Sequence, residues 1–212
     1  MVRSGRVTVD DKVELDPGRA VDRACEIRLD GEILREVVRQ YLALHKPAGV
    51  DCEPQQHTAR GIGDYLPDDV PGLEPAGRLD TRCRGLLLVS NDQEWNTRIA
   101  QDQDLDRRYE IMVSGRFSDL GLETIRAGVS VPGQGRFKPL RARILFAEDK
   151  RTLVELSLRG SRLRQARAVF TMLEHEITTI VSTAIGPVDL GGLGAGAIRP
   201  LSSGEMSRLA GS

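Results

Sequence analysis

The order in which strand-like and helix-like runs follow one another is the feature that most limits what this chain can fold into. Short apolar stretches of strand character and single helical stretches succeed each other without a repeated strand-helix-strand unit. Such an order favours an α+β fold with a mixed, mainly antiparallel sheet and flanking helices, and argues against a doubly wound nucleotide-binding fold.

The first thirty-odd positions read as a small β-rich unit. Gly5-Arg6-Val7-Thr8-Val9 and Lys12-Val13 alternate around the turn signal Asp10-Asp11 and predict a hairpin. Asp16-Pro17-Gly18 is a second turn, and Cys25-Glu26-Ile27-Arg28-Leu29 a further strand ending at Asp30-Gly31. A unit of about thirty residues is too small for a self-sufficient core. Residues 33–40 read as a connector, after which Tyr41-Leu42-Ala43-Leu44 begins a buried strand that stops at His45-Lys46-Pro47-Ala48-Gly49.

Beyond this point Leu86-Leu87-Leu88-Val89 is a buried strand ending in Ser90-Asn91-Asp92, with a helix over 94–100. Residues 108–114 form a strand, and Ser118-Asp119 signals the start of a helix over 120–127. Strands follow over 141–146 and 152–158, separated by Glu148-Asp149-Lys150. Leu163, Ala166, Val169, Phe170 and Leu173 line one face of a helix over 162–174. The run Gly191-Gly192-Leu193-Gly194-Ala195-Gly196 lacks the strand-then-helix setting of a phosphate loop and reads as turns.

Composition narrows the function. No run of about 18 apolar residues is present, so no membrane span is expected. The start Met1-Val2-Arg3-Ser4-Gly5 lacks the apolar core of a secretory signal, which predicts a cytoplasmic location. Cys25, Cys52 and Cys83 show no paired spacing and are expected to act as small apolar side chains. His45, His57 and His175 are scattered, and no metal site is expected. The formal net charge of −1 conceals an asymmetry: residues 1–75 carry 10 Lys/Arg against 15 Asp/Glu, and residues 76–212 carry 20 against 16. The second half is the part suited to a polyanion.

Three stretches carry chemistry. His45-Lys46-Pro47-Ala48-Gly49-Val50 sets a basic residue beside a rigid bend, and Gly77-Arg78-Leu79-Asp80-Thr81-Arg82-Cys83-Arg84-Gly85 sets one carboxylate among three arginines ahead of an apolar strand. Arg159-Gly160-Ser161-Arg162-Leu163-Arg164-Gln165-Ala166-Arg167 opens a helix with a ladder of arginines, a suitable phosphate site.

In this order the three stretches, with Asn91-Asp92, Arg107-Arg108-Tyr109 and the closing Ile185-Gly186-Pro187, resemble the bacterial ribosomal pseudouridine synthases of the RsuA type. The resemblance spans roughly residues 41–205 and implies a catalytic domain over 41–212. Residues 1–35 are similar to part of the small RNA-binding module named after ribosomal small-subunit protein four, with its helical first half absent.

The resemblance further implies isomerisation of a uridine in ribosomal RNA, free or in an assembling subunit, by a monomer without a cofactor. Asp80 is then the catalytic carboxylate, as nucleophile or as base toward the ribose. Tyr109 becomes an aromatic platform for a base displaced from its stack. Arg78 holds the displaced nucleotide or fills its vacancy, Arg164 supports Asp80 or a phosphate, and Lys46, Arg107 and Arg167 are further RNA contacts. This chain departs from the family where Arg107 replaces the usual lysine, where Ala168 replaces a second basic residue, and where Ile180-Val181-Ser182 replaces Leu-x-Arg. Those losses are expected to weaken phosphate binding rather than abolish chemistry. They also motivate a rival reading, a noncatalytic RNA-binding or ribosome-assembly protein that retains the fold.

Overall fold

The computed structural model describes residues 1–22, 24–34, 38–52 and 60–210. The chain divides into two units, Met1–Val38 and Arg39–Ser212. In the first, β1 (Val7–Val9), β2 (Lys12–Glu14), β3 (Ile27–Leu29) and β4 (Glu32–Ile33) form an antiparallel sheet in the order β2-β1-β3-β4. Two hairpin turns explain why so short a segment holds this shape. Asp10 and Asp11 take φ of 49° and 62°, and Asp30 and Gly31 take 51° and 88°, the paired left-handed conformation that matches strand twist in two-residue turns. Ile33, expected in the connector, belongs to β4, and residues 35–37 of that connector lie outside the described residues.

The second unit is built on one mixed sheet. Its strands are β5 (Tyr41–Lys46), β6 (Glu74–Pro75), β7 (Cys83–Ser90) and β8 (Asp106–Ser114), the side ribbon β9 (Val129–Val131) with β10 (Gly135–Phe137), then β11 (Arg141–Ala147) and β12 (Arg151–Arg159), and finally β13 (Ile177–Ile185), β14 (Val188–Asp189) and β15 (Ile198–Pro200). The sheet runs β11-β12-β8-β13-β7-β5-β15, with β14 attached to β13 and β6 to β7. The β7–β13 pair is parallel, and the other pairs of this sheet are antiparallel.

Helices α1 (Gln93–Gln101), α2 (Asp119–Ala127), α3 (Leu163–Met172) and α4 (Ser203–Ala210) flank the sheet. Local chemistry fixes where they start: Asp92 accepts from the Trp95 N–H and Ser118 from the Gly121 N–H, each satisfying an orphan donor of the first turn. Strand β7 shows why its apolar run is unbroken. Leu87 and Val89 enter one core with Tyr109, Ile111, Leu156 and Phe170, while Leu86 and Leu88 enter another with Trp95, Ile99 and Leu209. Alternate side chains point to opposite faces, so a strand covered on both must be apolar at every position. Each such leucine contributes about 2 kcal/mol of burial.

The β7–β13 junction depends on Gly85. It pairs with Ser182 and holds φ at 111°, and a Cβ there would lie 2.2 Å from the Ser182 carbonyl oxygen. Gly85→Ala is therefore expected to destabilise the fold by about 3 kcal/mol or more, through strain and overpacking together. Denaturant unfolding measures this loss.

Helix α4 starts in a reciprocal cap: Ser202 Oγ accepts the Glu205 N–H at 3.2 Å, and Glu205 Oε2 accepts the Ser202 N–H at 2.8 Å. Arg199 adds two guanidinium bonds to the Glu205 carboxylate. The Arg199 guanidinium, with the Ser202 donors, holds the Glu205 carboxyl at about 2, below its ordinary 4.5. A depressed acid contributes stability that is complete above about pH 4.5 and lost as pH falls through about 2. Thermal unfolding of Glu205→Gln is thus expected to fall below wild type at pH 6 and to converge with it near pH 2.

Candidate active site

Asp80 stands on the turn that leads into β7. Its Oδ1 accepts the N–H groups of Arg82 and Cys83, each at 3.0 Å. Its Oδ2 accepts from Arg167 Nη2 at 2.6 Å. These N–H donors into the carboxylate help to fix its plane while the side chain remains 51% exposed. The Cys83 thiol beneath also hydrogen-bonds the carboxylate, so backbone, guanidinium and thiol together hold it in place.

The partner of Asp80 is Arg167, whereas the resemblance gave Arg164 the support of either Asp80 or a phosphate. Arg164 sits at the first turn of α3, is exposed, and pairs with no acid among the described residues. Arg167 lies three residues further, about 4.5 Å along the axis, beside the buried face of Ala166, Val169 and Phe170 that anchors α3. That position brings its guanidinium over the start of β7, where Nη2 is also 3.0 Å from Cys83 Sγ.

Cys83 is more than an apolar filler. It is fully buried beneath Asp80, and burial, followed by the Asp80 carboxylate, pushes its thiol up to about 12. It stays neutral at physiological pH. Cys52 braces the same turn: its thiol donates to the Leu79 carbonyl at 3.1 Å and receives the Leu79 N–H at 3.3 Å. The isolated spacing of these cysteines gave no sign of this, although the Asp80-x-x-Cys83 interval is the one over which an aspartate captures backbone N–H groups.

Lys46 requires a correction. It was expected to reach RNA from a strand end, yet it is fully buried, and its ammonium donates to the carbonyls of Pro47 at 3.0 Å and Val50 at 2.7 Å. Burial lowers its pKa from 10.5, with Cys52, Cys83, Asp80 and Asp51 acting in the opposite sense. A buried ammonium cannot contact a phosphate. It holds the Pro47–Val50 bend instead, and within that bend the Gly49 N–H donates to the Thr81 carbonyl at 2.6 Å. The bend thereby clamps the residue after Asp80.

Arg107 is likewise buried, at 7% exposure, with Nη2 donating to the Ile99 carbonyl of α1 at 2.9 Å. It ties β8 to the end of α1 and is not placed to meet RNA. Tyr109 is 6% exposed and packs in the core, where burial raises its pKa and Arg107 opposes the shift. Ser182 is 2% exposed and paired with both Gly85 and Tyr109. This position therefore bears on packing beneath the site rather than on a surface contact. Arg78 is exposed and lines a cleft of about 590 Å³ next to the Asp80 turn. His57 lies outside the described residues.

The family profile of RNA pseudouridylate synthase matches residues 40–172. Ribosomal large subunit pseudouridine synthase B of Bacillus subtilis is 27% identical over 213 residues, covering 99% of this chain and 87% of that protein. An uncharacterized RNA pseudouridine synthase of Mycobacterium tuberculosis is 31% identical over 216 residues, covering 99% of this chain and 85% of its own. Ribosomal small subunit pseudouridine synthase A of Vibrio vulnificus is 26% identical over 195 residues, covering 90% and 82%. A crystal structure described as a pseudouridylate synthase superposes with a TM-score of 0.71 at 24% identity, over 98% of this chain and 90% of that one.

The buried role of Lys46 separates from a surface role by experiment. Lys46→Met leaves the Pro47 and Val50 carbonyls without donors and is expected to lower unfolding stability by about 2 kcal/mol. The slope of RNA affinity against salt is expected to stay unchanged, whereas a phosphate contact would reduce that slope by about one counterion. Denaturant titration and binding at several salt concentrations measure the two effects.

Proposed function

The chain belongs to the RNA pseudouridylate synthase family, and from that premise we propose that it isomerises a uridine of ribosomal RNA to pseudouridine with Asp80 as the catalytic carboxylate. The observation that carries this reading is the exposed Asp80 carboxylate, oriented by two backbone N–H groups and by Arg167. The reaction breaks the base–ribose bond at N1, turns the base, and joins C5 to C1′ while the C5 hydrogen leaves and N1 gains one. Atoms are conserved overall, so a carboxylate and a well-shaped pocket suffice in principle.

The exposed Asp80 carboxylate is the reacting group in this reading. It either bonds to the sugar or takes a proton from it, and both routes use the same group. Arg167 acts as a positioning residue that holds its orientation. Tyr109, buried in the core beneath the turn, supports the floor of the site rather than meeting the base directly, and Arg78 and Arg164 meet the RNA backbone from exposed positions beside the turn. Extruding the base costs a few kcal/mol, offset by these contacts. Residues 1–38 would serve as an accessory RNA-binding module, and the protein would act as a monomer in the cytoplasm, where ribosomal RNA is made. The matched relatives include both a large- and a small-subunit enzyme, so the subunit is left to measurement.

Incubation with ribosomal RNA and chemical mapping of pseudouridine tests this function. Asp80→Asn is expected to reduce the rate by about a thousandfold or more. Arg167→Ala is expected to reduce kcat by about ten- to a hundredfold with a smaller change in KM, because it loosens a positioned group rather than a substrate contact. Asp80→Ala behaving as wild type, in product formation and in cells, would instead favour a noncatalytic RNA-binding role.

A further inference from the structure

The ion pair of Asp80 and Arg167 meets a difficulty during the reaction proposed above. When the carboxylate bonds to the ribose or takes its proton, its negative charge is consumed, and the bond from Arg167 falls to roughly the strength of a neutral one. The Arg167 side chain is 30% exposed, and the RNA brings phosphates that attract a guanidinium strongly. Holding the arginine in place through that interval needs an acceptor that takes no part in the chemistry.

Cys83 is placed to be that acceptor. Arg167 Nη2, which donates to Asp80 Oδ2 at 2.6 Å, also lies 3.0 Å from Cys83 Sγ. The thiol in turn hydrogen-bonds the Asp80 carboxylate, and the Cys83 backbone N–H donates to Asp80 Oδ1 at 3.0 Å. One residue thus touches both members of the pair, and the three side chains close a ring of hydrogen bonds. Cys83 is itself firmly held: it opens β7, pairs with Ile180 of β13 and is fully buried in the core with Leu79, Tyr109, Ala166 and Phe170. Burial first, and then the Asp80 carboxylate, push its thiol up to about 12. It stays protonated at physiological pH and keeps both its S–H donor and its sulfur acceptor.

We propose that Cys83 is a positioning residue for the isomerisation: its thiol donates to Asp80 and accepts from Arg167, and so keeps the two groups in register while the carboxylate loses its charge and regains it. The assignment rests on the Asp80 function proposed above. In this role the thiol makes and breaks no covalent bond and exchanges no proton, so the atom balance of the reaction is unchanged. Since Cys83 is fully buried, its loss removes no RNA contact. The effect belongs in kcat, with KM nearly constant.

Two substitutions of equal shape separate hydrogen bonding from packing. Cys83→Thr keeps a hydroxyl that donates and accepts, and Cys83→Val has the same outline without it. On an RNA hairpin containing the mapped uridine, the full chain with Cys83→Val is expected to lose about tenfold in kcat with KM within about twofold, and Cys83→Thr to stay within about threefold of wild type. Cys83→Ser and Cys83→Ala, which add no bulk, should fall in the same order and serve if the larger pair overpacks the core and fails to fold. The infrared S–H stretch of Cys83, isolated as the difference between wild type and Cys83→Ser, should lie below that of a thiol without an acceptor and should rise in Asp80→Ala. Equal kcat for Thr and Val, or for Ser and Ala where the larger pair does not fold, would overturn the positioning role alone, as would an S–H band that Asp80→Ala leaves unmoved. Wild-type protein making no pseudouridine would overturn the function itself, and the positioning role with it.

Discussion

The parallel contact between β7 and β13 is the constraint on which the catalytic unit depends. It joins two halves of the sheet, β11-β12-β8-β13 on one side and β7-β5-β15 on the other, through a pairing that tolerates only glycine at position 85. Parallel strands begin at the same edge of a sheet. Whatever precedes β7 and whatever precedes β13 must therefore be brought to one edge. What precedes them is the Asp80 turn and the helix that carries Arg167, so residues 87 positions apart in sequence meet as a 2.6 Å ion pair.

Around that pair the protein uses charge in two different ways. At the surface, Asp80 is held by donors while half its side chain stays exposed, as its proposed role as the reacting group requires. Beneath it, Lys46 spends its charge on backbone carbonyls and Cys83 is kept neutral by burial. A preorganised carboxylate needs rigid support, because a displacement of about 1 Å at the reacting atom is costly to rate. The Pro47–Val50 bend, the Cys52 contact to Leu79 and the Gly49 bond to Thr81 supply that support from one side of the turn.

The arginines divide by burial rather than by sequence position. Arg107 is buried against the Ile99 carbonyl and Arg167 is part-buried against Asp80, whereas Arg78 and Arg164 lie at exposed positions. Recognition of a polyanion therefore falls on fewer cations than the count in the second half of the chain implies. The asymmetry between 10 basic residues in 1–75 and 20 in 76–212 still places the favourable potential on the catalytic unit, since several of those arginines remain at its surface.

What the sequence determined by itself is what depends on neighbours along the chain. The turns at Asp10-Asp11 and Asp30-Gly31, the helix start at Ser118, the buried strand at Leu86–Val89 and the family pattern around Asp80 were all legible, because each is set within a few residues. Tertiary structure alone decided that Arg167 rather than Arg164 meets Asp80, and that Lys46 and Arg107 are internal braces. These follow from strand register and from which face of a helix is covered. A basic residue in sequence looks the same whether its charge ends in water or against a buried carbonyl, and only the packing of distant segments distinguishes the two.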